Sequence, residues 1–136
     1  PRSSSAASDV YKRQPIYYIQ YSYARTQSVL NKTNKIIDTQ VLVTSELKNL
    51  YKKLLEWENV IKSAYQKKEV HLIAHYLESL SSYFHTLWSS SKNNPKAKFL
   101  DNDNNIPSDL HNLLSSYQDV LKDGLKILGI KPKLQM

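Results

Sequence analysis

A chain of 136 residues with 40% hydrophobic content is long enough for one domain with a proper core. It holds no cysteine, which excludes a disulfide framework and a thiolate metal site and is compatible with a reducing compartment. A formal net charge of +7 favours a polyanionic partner, since each phosphate contact releases counterions.

Residues 1–14 are rich in Ser and Ala and show no apolar periodicity. They read as a disordered leader that is not native to the fold, and they lack the apolar centre of a secretory signal. The fold is expected to occupy residues 15–136. With two glycines, five prolines and regular apolar spacing, it reads as all-α, a bundle of about five helices.

The first helix is expected from Pro15, a residue suited to a first turn, to about Asn31. Ile16, Ile19, Tyr23 and Gln27 fall on one helical stripe, and Tyr17, Tyr21, Ala24 and Ser28 on the next. Four tyrosines and Arg25 crowd this segment. Aromatic stripes most often serve a core. Tyrosine, however, buries its ring while its hydroxyl seeks a partner, and Arg stacks on bases or forks onto phosphates. Both duties remain open at this point.

A connector over residues 32–44 leads to Ser45, expected to cap a helix with Leu47, Leu50, Tyr51, Leu54 and Leu55 at helical spacing. Residues 56–59 read as a break, followed by a short helix carrying Val60, Ile61, Ala64 and Tyr65. The longest periodic element comes next, with Leu72, Ile73, Tyr76, Leu77, Leu80, Tyr83, Phe84, Leu87 and Trp88 holding the 3.6-residue period. Residues 92–107 are rich in Asn, Asp and Pro and read as a surface loop. The last helix is expected from near Ser108, with Gly129 to stop it, Ile130 to fold back onto it and Pro132 to prevent its continuation.

Three of these segments carry a resemblance. Pro15-Ile16-Tyr17-Tyr18-Ile19-Gln20-Tyr21-Ser22-Tyr23-Ala24-Arg25 is similar to the opening helix of the C-terminal (DALR-type) anticodon-binding domain of arginyl-tRNA synthetases. That helix typically reads Asn-Pro-Val-Tyr-Tyr-Val-Gln-Tyr-Ala-His-Ala-Arg; here Gln14, Ser22 and Tyr23 depart from it. Tyr76-Leu77, Leu80, Phe84-His85 and Trp88 resemble the central-helix pattern of that family, with His75 in place of an Arg, Leu87-Trp88 in place of Phe-Tyr and Ser89 in place of an Asn. Residues 120–130 resemble its ending, Val-Leu-Lys-Asn-Gly-Leu-x-Leu-Leu-Gly-Ile, and Pro132 and Met136 fit too.

The resemblance implies a class I synthetase anticodon-binding domain that grips the anticodon stem-loop of arginine tRNA for a catalytic domain of the same enzyme. Unstacked anticodon bases are read by aromatic stacking and hydrogen bonds to their edges. On the family pattern, tRNA-binding falls to Tyr17, Gln20, Tyr21, Arg25, Phe84, Trp88 and Met136, with nearby lysines on phosphates; Trp88 could instead close the core. The tail is expected to fold back beside the first helix and bring Met136, a flexible thioether that packs well on rings, to Tyr21.

No catalytic residue is assigned. The segment holds neither class I signature, so ATP and magnesium are expected only for the catalytic domain, and isolated activity is not expected. No metal site is read: His71 and His75 share a helix face but lack a third ligand. No apolar run approaches the about 18 residues of a membrane span. The expected location is cytoplasmic. The alternatives are a helical protein-interaction module or the equivalent domain of another synthetase.

Overall fold

The computed structural model describes the backbone of residues 2–136 and the side chains of residues 16–136. Five α-helices are described: α1 (Arg2–Lys32), α2 (Ser45–Leu54), α3 (Trp57–Lys67), α4 (His71–Asn93) and α5 (Ser108–Ile127). A 3-10 turn at Pro95–Ala97 and two short strands, β1 (Ile36–Ile37) and β2 (Ile106–Pro107), complete the described elements. The helical reading therefore stands, with one addition that periodicity could not show. The strands pair in parallel, Ile36 with Ile106 and Ile37 with Pro107, and tie together the two longest connectors.

Helix α4 is the centre of the packing: α1, α2, α3 and α5 all touch it. Its stripe of Ile73, Tyr76, Leu77, Leu80, Phe84 and Leu87 is buried, as are Leu110, Leu114, Tyr117, Leu121 and Leu125 of α5. Each fully buried side chain of this size removes enough apolar surface from water to contribute about 1.5–3 kcal/mol. Gly124 lets α5 approach α4 closely, because a Cβ there would lie 2.7 Å from Leu77 Cδ1. Ile19 and Tyr23 turn α1 inward. Ser22, one of the departures from the family pattern, accepts a 2.7 Å hydrogen bond from the Tyr117 hydroxyl and donates to the Ile19 carbonyl. Burial among these helices holds the Tyr117 phenol far above its ordinary pKa, so it stays a neutral donor.

Several boundaries differ from expectation. Helix α1 starts ahead of Pro15, while the expected leader, residues 1–14, lies outside the described side chains. Thr44 rather than Ser45 caps α2, its hydroxyl accepting from the Leu47 N–H. The break before α3 falls at Leu55 and Glu56, and the helix already begins at Trp57, whose ring stacks on Tyr76 at 5.5 Å. The loop at residues 92–107 is anchored rather than purely superficial: Ala97, Phe99 and Ile106 are buried. The stop of α5 is as read, with Gly129 at φ +76° and the Ile130 N–H donating back to the Leu125 carbonyl.

Candidate nucleic-acid interface

The stripe adjacent to the buried face of α1 carries Tyr17, Tyr21 and Arg25, and α4 presents His85, Trp88 and Lys92 beside it. Tyr17 and Tyr21 stack at 6.1 Å, and Tyr21 stacks on His85 at 5.7 Å. The Arg25 guanidinium lies 4.4 Å from the Tyr21 ring centre and 4.8 Å from that of Trp88, and its Nη2 donates to the Tyr21 hydroxyl. Lys92 Nζ stands 5.4 Å from the Trp88 ring. The arrangement is a row of π faces interleaved with cations, suited to unstacked bases and the phosphates between them.

Beside this row is a cleft of about 510 Å³. Tyr21, Ala24, Arg25 and Ser28 form its α1 wall, and Leu134, Gln135 and Met136 form the wall opposite. The tail thus does fold back beside α1, and Tyr21, Arg25 and Met136 share one cleft. Met136 keeps 51% of its surface exposed, so the tail wall is held from elsewhere than its own burial. Lys131 and Lys133 on the tail are exposed, adding positive charge at the rim.

Other residues on the expected list have different places. Tyr17 and Tyr18 are half exposed and do not line the cleft, although Tyr17 stacks on Tyr21. Trp88 flanks the cleft through Arg25 and packs its other side on Phe84 and Phe99. Phe84 is a correction. It is wholly buried and stacks on Tyr117 at 4.8 Å, so no base can reach it. Gln20 is a second correction, buried with both ends of its amide bonded to the tail backbone.

His85 and Lys92 join the cluster although they were not on that list. The signal was available, because residues 85, 88 and 92 recur on one face of a helix. Burial lowers the His85 pKa, with a smaller push from the Arg25 charge, against an opposing hydrogen bond to the Tyr18 carbonyl. The ring is therefore kept neutral beside Tyr21. Two donors, Arg25 Nε and Trp88 Nε1, have no protein partner. Among the described residues, no group of three His, Asp or Glu is placed to hold a metal ion, and no helix is long and apolar enough to cross a membrane.

Residues 19–136 match the family model for the DALR anticodon binding domain. The chain belongs to that family. The DALR domain here is 35% identical over 130 residues to the arginine–tRNA ligase of Orientia tsutsugamushi strain Boryong, covering 85% of this chain and 22% of that protein. It is 33% identical over 132 residues to that of Pelagibacter ubique, covering 92% of this chain and 23% of that one. The chain therefore spans less than a quarter of the length of these relatives. A crystal structure of a Campylobacter jejuni protein, described only provisionally as an arginyl-tRNA synthetase, shares the fold of the DALR domain, with a TM-score of 0.70 and 24% identity over 92% of this chain and 27% of that one.

Proposed function

We propose that this DALR domain holds the anticodon stem-loop of arginine tRNA for a cytoplasmic arginine–tRNA ligase, whose catalytic domain supplies the ATP and magnesium chemistry. The observation that carries the reading is the cleft in which Tyr21 and Arg25 face 134–136. One unstacked base fits between these walls, with the Tyr21 ring as a platform and Arg25 as a donor to a base edge or phosphate. Lys92, Lys131 and Lys133 neutralise the adjoining backbone. The matched segment contributes grip and register only, and no adenylate chemistry is assigned to it.

The test is direct binding of an arginine-tRNA anticodon stem-loop against a loop-scrambled control over a salt series. The native loop should bind more tightly than the control, and both affinities should fall steeply with salt as phosphate contacts are screened. Equal affinities for the two loops, independent of salt, would overturn the reading. The same protein should give no ATP–pyrophosphate exchange.

A second reading has its own observation. An apolar groove of about 560 Å³ runs between α2 and α5, lined by Val43, Leu47, Tyr51, Leu54, Leu113 and Val120 among others. As a helix-docking groove it would bind an apolar partner with little salt dependence, which separates this reading from the first.

A further inference from the structure

The tail leaves α5 at the Gly129 turn and crosses α1, where one side chain meets it. Gln20 Nε2 donates to the Lys131 carbonyl at 2.8 Å, and Gln20 Oε1 accepts from the Lys133 N–H at 2.6 Å. A single amide thus pairs with two backbone groups two residues apart, much as a neighbouring strand would. Gln20 itself is only 5% exposed, so its rotamer is fixed by the packing around it. Beyond the clamp, Leu134 and Met136 are more than half exposed, at 61% and 51%, and little burial holds them.

We infer that Gln20 is a positioning residue: it touches no RNA, but by clamping 131–133 it sets residues 134–136 as the second wall of the base cleft. The clamp reads backbone alone, so side chains at 131 and 133 are free to serve phosphate. The pairing sits one residue from Tyr21 on α1, so the spacing between the tail wall and the Tyr21 ring is set by that contact. The RNA consequence rests on the anticodon reading proposed above; the clamp itself does not.

The test combines Gln20→Met, which keeps length and apolar bulk but removes both hydrogen bonds, with deletion of residues 134–136. Two readouts are taken on each protein: exchange of the Lys133 amide proton by NMR, and affinity for the anticodon stem-loop. In Gln20→Met the Lys133 amide should exchange much faster while helical circular dichroism is retained. Stem-loop affinity should fall roughly fivefold to tenfold, on the scale of about one net hydrogen bond. The tail deletion should cost a similar factor, and the combined variant no more than either alone, because both changes remove the same wall.

Losses that multiply in the combined variant would show that Gln20 acts other than through the tail and overturn the inference. A Lys133 amide as protected in Gln20→Met as in the parent would overturn it as well. If the parent protein binds no stem-loop, the anticodon reading fails, and the amide readout still decides the clamp by itself.

Discussion

Helix α4 carries two aromatic groupings, and Phe84 stands between them. Inward, Phe84 stacks on Tyr117 at 4.8 Å and approaches Phe99 at 6.5 Å; all are buried, and the one hydroxyl is paired with Ser22. Outward, Trp88 and His85 meet Tyr21, Arg25 and Lys92, with rings partly open to solvent and two donors unpartnered. Both groupings are built on aromatic rings and each holds a tyrosine, so the duty of each ring follows from its surroundings. A ring sealed from solvent by other core side chains, as Phe84, Phe99 and Tyr117 are, is scaffold. A ring flanked by cations and an open cleft has binding capacity left over.

Substitutions on the two sides should accordingly separate stability from RNA affinity. The largest effect belongs to Phe84→Ala, which opens a cavity in the inner stack and should cost ~3–5 kcal/mol of folding stability by urea denaturation. If the variant keeps parental stability while losing RNA affinity, Phe84 belongs to the outer group after all. Trp88→Ala should cost ~1–3 kcal/mol of stem-loop affinity by titration, the scale of one base stack. Its stability loss should be smaller than that of Phe84→Ala, and unfolding without an affinity change in the folded protein would move Trp88 to the scaffold.

A subtler pair removes one hydroxyl from each side. Tyr117→Phe deletes the bond to Ser22 and should lower stability by about 1 kcal/mol, with stem-loop affinity unchanged. Tyr21→Phe should leave the melting temperature in place and alter affinity through the orientation of Arg25. Identical profiles for the two variants would erase the distinction between the groupings.

The smallest expected effect is a pH dependence. Because the fold holds the His85 pKa below its ordinary value, the unfolded chain takes up the proton first as pH falls. The contribution of this residue is therefore full above the unfolded pKa of about 6.5 and declines as pH drops from there towards the lower folded value. His85→Gln should lose less melting temperature than the parent between pH 7.5 and 5.5. Parallel slopes would mean that His85 is not the group responsible.

Much of this arrangement was legible in the chain. The period of residues 72–88 marks α4 as the central helix, and Gly129 followed by Pro132 marks the end of α5. The stripe of Tyr17, Tyr21, Ala24 and Ser28 was visible as a face, with Arg25 in the same segment. Periodicity names a face, however, and is silent on what covers it. Phe84 and Trp88 share a stripe, yet Tyr117 seals the first while Arg25 borders the second. The partners of Gln20 lie more than a hundred residues away, at Lys131 and Lys133, beyond any local pattern. A strand of two residues has no period to detect, which left β1 and β2 inside stretches read as connectors.

That small strand pair carries a consequence for local opening. The Asn34 N–H donates to the Asn104 carbonyl at 2.7 Å, the Ile106 N–H donates to the Lys35 carbonyl at 2.9 Å, and the Ile106 side chain is wholly buried. Segments that would otherwise fray independently are thereby made one cooperative unit, closed by a parallel rung between positions seventy residues apart. Native-state hydrogen exchange should find the Ile106 amide among the slower ones of the protein, opening with the helices rather than with the turns. A protease that cuts Asn-rich loops should likewise find residues 101–106 a poorer substrate than their composition suggests.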